Sequence, residues 1–116
     1  MMKISFDFDD TLDQTYIQQL ALLLAKAGAE VYIITRRGPT GNRDLFALAE
    51  VLWIPEKRIF FTNGQAKTET IIRLGIDLHL DDQPEEIWEL SKRNIPALLV
   101  NFDWLLLQRF IQKTET

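Results

Sequence analysis

The chain has 116 residues, 47% of them apolar and 26% charged, with no cysteine and a formal net charge of -4. That length suits one domain with one core, and the lack of cysteine excludes a disulfide framework or a thiolate metal site. No apolar run approaches the roughly 18 residues of a membrane span, and five acids gather in two short segments, Asp7, Asp9 and Asp10, then Asp81 and Asp82.

With those five set aside, acids and bases nearly balance, so the acidity is concentrated and no broad basic face invites nucleic acid. Met1-Met2-Lys3 leads straight into a strand-like segment without a signal-peptide pattern. Together with the missing cysteines, this gives the expectation of a cytoplasmic protein.

Lys3 to Phe8 reads as a strand, with Ile4, Phe6 and Phe8 alternating against Ser5 and Asp7. Tyr16 to Ala27 has the spacing of a helix through Ile17, Leu20, Ala21 and Leu24, with Gly28 just past its end. Glu30 to Thr35 holds Val31-Tyr32-Ile33-Ile34, a run suited to a buried parallel strand. After a loop from Arg36 to Gly41, Asn42 to Leu52 predicts a helix burying Leu45, Leu48 and Leu52. Arg58 to Phe61 predicts a third strand, Lys67 to Leu74 a short helix stopped by Gly75, and Leu78 to Leu80 a fourth strand.

Pro84 opens the next helix, with Glu85 and Glu86 at its positive start, Lys92 and Arg93 at its negative end, and Asn94 as cap. Ala97 to Val100 predicts a fifth strand and Asp103 to Gln112 a final helix. Strands alternating with helices through short loops, without repeat or linker, predict a single α/β domain: a three-layer, Rossmann-like, five-stranded parallel sheet. Alternation does not reveal the strand order.

In open parallel sheets ligands bind beyond the carboxyl ends of the strands. Strand one ends at Asp7, followed by Asp9, Asp10 and Thr11; strand two ends at Thr35; strand three leads through Thr62 and Asn63 to Lys67; strand four ends at Asp81-Asp82. Taken singly, each position has a structural explanation, since Asp, Thr and Asn turn chains and cap helices; Thr11 or Asp13 could cap the first helix, Asp82 or Gln83 the fourth. Five carboxylates at one sheet edge, however, repel and raise one another's pKa values. A divalent cation relieves that, and an all-oxygen set suits Mg2+ better than zinc or copper.

These residues resemble the haloacid dehalogenase-like (HAD) hydrolases. Ile4-Ser5-Phe6-Asp7-Phe8-Asp9-Asp10-Thr11-Leu12 is similar to their first motif, an apolar strand followed by Asp-x-Asp-x-Thr; Ile33-Ile34-Thr35 is similar to the second. Lys67, 14 residues before Asp81, stands as the third-motif lysine does, and Leu78-His79-Leu80-Asp81-Asp82 resembles the fourth. The resemblance implies a phosphomonoester phosphatase in which Asp7 attacks phosphorus and forms an aspartyl phosphate. Asp9 would protonate the leaving oxygen and then activate water, its carbonyl also reaching the metal. Thr35 and Lys67 would hold phosphoryl oxygens, and Asp81 and Asp82 would anchor Mg2+, with the direct ligand of the two left open. An acid at Asp9 implies phosphatase rather than dehalogenase chemistry. A response-regulator reading fails on order, because its phosphoacceptor ends the third strand and its lysine follows the fifth.

Thr11 leads into a helix within about five residues and Thr62 is five positions from Lys67, so neither gap holds a cap domain. The site is expected to be open, its shielding supplied by a large phosphorylated substrate, such as a phosphoprotein or a nucleic-acid end, or by a partner; small esters are the remaining alternative. Arg36 or Arg37, at the site edge, is a candidate for further anionic parts of the substrate. A non-catalytic phosphate-binding or phosphoprotein-binding module is the alternative function. His79 reads as a packed or partly exposed strand residue, Trp53 and Trp88 as helical packing residues. Trp104-Leu105-Leu106-Leu107 with Phe110 reads as core packing or, alternatively, a homodimer seam through the last helix.

Overall fold

A computed structural model describes residues 1–100 together with Arg109, Gln112 and Lys113. Its strands are β1 (Lys3–Phe6), β2 (Glu30–Thr35), β3 (Ile59–Phe61), β4 (Leu78–Asp81) and β5 (Ala97–Leu99). Its helices are α1 (Thr15–Lys26), α2 (Arg43–Val51), α3 (Thr68–Leu74) and α4 (Pro84–Lys92). The strands form one sheet in the order β3-β2-β1-β4-β5, and every pairing is parallel. This is the expected three-layer α/β architecture, and the order puts β1 at the centre, between the strands that end in Thr35 and Asp81.

Period-two alternation divides the core between the sheet faces. Ile4, Phe6, Val31 and Ile33 pack with Ile17, Leu20 and Ala21 of α1 and Leu45 and Ala49 of α2. Tyr32 and Ile34 point the other way, to Ile71 of α3 and Leu90 of α4. Phe6, Ile33 and Ile34 are fully buried, each contributing roughly 1.5–3 kcal/mol by leaving water. Ser5 and His79, paired across β1 and β4, share the α3/α4 face with Asp7 and Asp81 by the same alternation.

These four helices end in one way. Gly28, Trp53, Gly75 and Asn94 have φ of 98°, 62°, 70° and 58°, and the residue after each donates back into the last turn (Ala29 to Leu24, Ile54 to Ala49, Ile76 to Ile71, Ile95 to Leu90). This left-handed closure favours Gly or Asn, which makes Trp53 the exception.

Several elements differ from expectation. β1 stops at Phe6, and Phe8–Leu12 forms a wide turn closed by Leu12 N–H on the Asp7 carbonyl at 3.1 Å, with Asp10 left-handed at φ 59°. Among the described residues, no side chain caps α1, α2 or α4. Trp53 lies beyond α2 and is 84% exposed; Trp88 lies on α4 but is 64% exposed, with Lys92 over its ring. Neither indole packs in the core. The expected final helix and its apolar run lie outside the described residues, Arg109 and Gln112 excepted. Among the described residues, no helix is long and apolar enough to cross a membrane.

Candidate active site

The carboxyl ends of β1, β2 and β4 and the start of α3 open on one pocket of about 190 Å3, lined by Asp7, Asp9, Asp10, Thr35, Arg36, Arg37, Lys67, Asp82 and Gln83. Such a volume falls short of the roughly 300 Å3 at which small-molecule sites begin and suits a phosphoryl-sized group. Only two residues separate Phe8–Leu12 from α1, and Asp9 keeps half its side-chain surface exposed; among the described residues, the pocket is open, without a cap.

Lys67 is its buried centre. The side chain is 2% exposed, and Nζ donates to Asp7 Oδ1 at 2.7 Å and to Asp81 Oδ2 at 2.6 Å. One ammonium therefore ties the end of β1 to the end of β4. Asp81 Oδ2 also takes His79 Nε2 at 2.8 Å, and Asp81 Oδ1 takes the Gln83 N–H at 3.1 Å. Burial alone would raise the Asp81 carboxyl, but the His79 hydrogen bond and the Lys67 ammonium outweigh it and hold Asp81 at about 2. Burial lowers the His79 pKa against the pull of Asp81, so the ring is neutral at pH 7. An ionised Asp81 can only accept; Nε2 therefore carries the proton, and Nδ1 accepts from Ser5 Oγ at 2.6 Å. Ser5, His79 and Asp81 form a closed, solvent-free chain that holds Asp81 as an anion.

Asp7 behaves oppositely. Burial, followed by the carboxylates of Asp81 and Asp82, pushes its carboxyl up to about 8 despite Lys67. The expected mutual rise of the acids thus holds for Asp7 and fails for Asp81, because Asp81 has the His79 hydrogen bond in addition to the Lys67 ammonium it shares with Asp7. Asp7, Asp81 and Asp82 bring carboxylate oxygens within 4.8 Å of one another, an all-oxygen set of the kind a hard divalent cation takes. The Asp9 carboxylate stands outside that set.

Asp9 accepts from Arg37 with both oxygens, from Nε at 3.0 Å and Nη2 at 2.8 Å. Arg37 Nη2 and Nη1 also hold Asp44 at 2.9 and 2.8 Å, and Nη1 reaches Asn42 Oδ1 at 3.3 Å. All five guanidinium N–H groups are used, and the plane lies 4.8 Å over the Phe8 ring. Arg37 is therefore a brace for Asp9 and not an open anion receptor. Arg36 faces the other side of the sheet and pairs through Nε with Glu86, whose other oxygen accepts the Lys67 backbone N–H at 3.1 Å. Thr35 Oγ1 is buried and accepts the Arg37 N–H at 3.2 Å, leaving its own proton to donate into the pocket. Asp10 sits at the rim, its carbonyl taking Gln14 Nε2 at 3.1 Å.

Ser5, His79, Asp44 and Glu86 are the residues that sequence reasoning passed over as parts of the site. His79 carried a signal, since a residue two before Asp81 on a strand shares its face. Glu86 carried none, because a buried acid and a helix-start acid look alike in sequence. The chain matches no protein-family model, and no curated protein matches it.

Proposed function

We propose that this chain is a phosphomonoester hydrolase of the HAD-like kind, dependent on a divalent cation, Mg2+ by the chemistry of its oxygen donors. The observation that carries the reading is Lys67 Nζ bridging buried Asp7 and Asp81 inside a phosphoryl-sized pocket, with Asp82 beside them. Lys67 holds Asp7 Oδ1 and leaves Oδ2 to attack. In the first half-reaction Oδ2 bonds to phosphorus, the ester P–O bond breaks, and the leaving alkoxide takes a proton from Asp9. In the second, Asp9 accepts a proton from water as the water oxygen attacks phosphorus, releasing phosphate and restoring Asp7. Thr35 Oγ1 and Lys67 hold the phosphoryl oxygens. A cation bound by Asp7, Asp81 and Asp82 supplies the neutralisation that lets a carboxylate approach an anionic phosphate. Without it, Asp7 keeps its proton near neutral pH and is no nucleophile.

The open pocket favours a large phosphorylated substrate or a partner-supplied lid. The test is a phosphatase screen over small esters, 5′- and 3′-phosphorylated oligonucleotides and phosphopeptides, with Mg2+ or with EDTA. Activity that needs Mg2+ and disappears in folded Asp7→Asn supports the hydrolase. One observation favours a second reading, a non-catalytic phosphate-binding module: Arg37 occupies both oxygens of Asp9, the proposed acid. Silence of the wild type across the panel, with phosphate still bound, selects that module.

A further inference from the structure

Three cations line the pocket, and they differ in what is left of their donors. Lys67 is shared between Asp7 and Asp81 and is almost fully buried. Arg37 has no N–H to spare. Arg36 uses only Nε, on Glu86; among the described residues, neither Nη1 nor Nη2 has a partner, and the side chain is 44% exposed.

Arg36 is also held in place. Its carbonyl accepts the Gly64 N–H at 2.7 Å, and the neighbouring carbonyls of Thr35 and Arg37 accept Thr62 and Asn63 N–H at 2.8 and 3.1 Å. The turn from β3 to α3 thus carries the β2–β3 hydrogen bonding past the strand ends. Gly38 permits the close approach, since a Cβ there would meet Asn63 Oδ1 at 2.9 Å. At the other end of the side chain, Glu86 is fully buried and anchored by the Lys67 N–H. A backbone pinned on one side and an Nε pinned on the other leave the Nη edge pre-oriented. An anion meeting that edge therefore loses little side-chain freedom, and a guanidinium edge with two free amines suits the two oxygens of a carboxylate or phosphate.

From this we infer that Arg36 forms a second anion subsite, so that the substrate carries another anionic group, a carboxylate or a second phosphate, close to the phosphoryl group held at Asp7. The inference rests on the phosphoryl-site reading above, but it concerns binding and not turnover. Strand alternation supports it: Arg36 emerges on the α3/α4 side with Asp7, Lys67 and Glu86, whereas Arg37 emerges on the α2 side with Asp44.

The test is calorimetric titration of the full chain in excess Mg2+ with hydrolysis-resistant ligands. Phosphonoacetate and 3-phosphonopropionate carry a carboxylate at two spacings, methylenediphosphonate carries a second phosphate-like group, and methylphosphonate and ethylphosphonate are the plain references. At least one doubly anionic ligand should bind the wild type about tenfold or more tightly than its plain reference, the usual effect of one charge-assisted hydrogen-bonded pair. Which ligand wins tells carboxylate from phosphate. In Arg36→Gln that ratio should fall below about threefold. Because this variant leaves buried Glu86 without its cation, the double variant Arg36→Gln/Glu86→Gln keeps the contact as a neutral pair and should lose the preference equally.

Equal binding of plain and doubly anionic ligands by the wild type overturns the inference, as does a preference that survives in both variants. Hydrolysis without the preference removes the subsite and leaves the hydrolase. The preference without hydrolysis does the reverse. A wild type that binds no phosphonate at all removes both.

Discussion

Without divalent cations, Asp7 should make the protein lose stability as pH rises, and the effect can be isolated. Its folded carboxyl is raised from 3.8 to about 8, so between those values the folded state holds a proton that the unfolded chain has released. Stability then falls with rising pH, by at most about 1.4 kcal/mol per unit. From pH 6.5 to 8, with release half complete at the upper end, the loss is between about 1 and 2 kcal/mol. For a domain of this size that lowers Tm by about 5–10 °C. The window avoids His79, whose lowered pKa adds stability as pH rises towards 6.5 and is spent above it. Asp81, held near 2, is ionised throughout.

The assay is urea denaturation in EDTA at several pH values, for wild type and Asp7→Asn. The amide does not titrate, so the difference between the two slopes belongs to Asp7. Mg2+ at about a hundred times its dissociation constant should add about 2.7 kcal/mol, mostly at the upper end of the window, where Asp7 is free to ionise. Equal slopes in wild type and Asp7→Asn would show that Asp7 holds no extra proton, and the electrostatic case for a cation would go with it.

Replacing Lys67 with Met keeps the stem and removes the ammonium from between Asp7 and Asp81; the expected cost is about 3–5 kcal/mol at pH 8 in EDTA, smaller at pH 5, and a cost under about 1 kcal/mol contradicts the bridge. Trp53→Gly should be neutral or stabilising by about 0.5 kcal/mol, since relief of the left-handed strain offsets the greater freedom of the unfolded chain; a core tryptophan would cost about 3–5 kcal/mol, and denaturation distinguishes the two. Among the described residues Thr11 Oγ1 is buried without a hydrogen-bond partner, so Thr11→Val should raise stability by about 1 kcal/mol; a fall of that size would reveal a bond made by the hydroxyl.

The elements were legible because strand and helix periods are local properties of the chain. Three of the four helix ends were also legible, because Gly28, Gly75 and Asn94 tolerate φ above zero without strain; Trp53 hid the fourth by taking the same conformation with a residue that normally avoids it. The polar ends of the strands marked the site, since any parallel sheet collects them on one edge. What stayed hidden depended on strand order and on partners far along the chain. Ser5 meets His79 only because β1 and β4 are neighbours, and alternation of elements says nothing about neighbours. Arg36 and Arg37 are adjacent and chemically identical, yet Glu86 of α4 claims one and Asp44 of α2 the other. Their difference lies in the layers they face, which appear only once the chain is folded.

That division of cations is the reason for proposing an ion from outside at this site. Glu86 takes part of Arg36, Asp9 and Asp44 take all of Arg37, and Lys67 is divided between two carboxylates. Asp81 has His79 as well, so the shortage of positive charge falls where Asp7 meets Asp82. A proton can fill that place, at the expense of the proposed nucleophile. A divalent cation there would leave Asp7 ionised. Proton and cation are alternatives for one position, so on the proposed function the burial that makes Asp7 a poor base by itself would also make it dependent on metal.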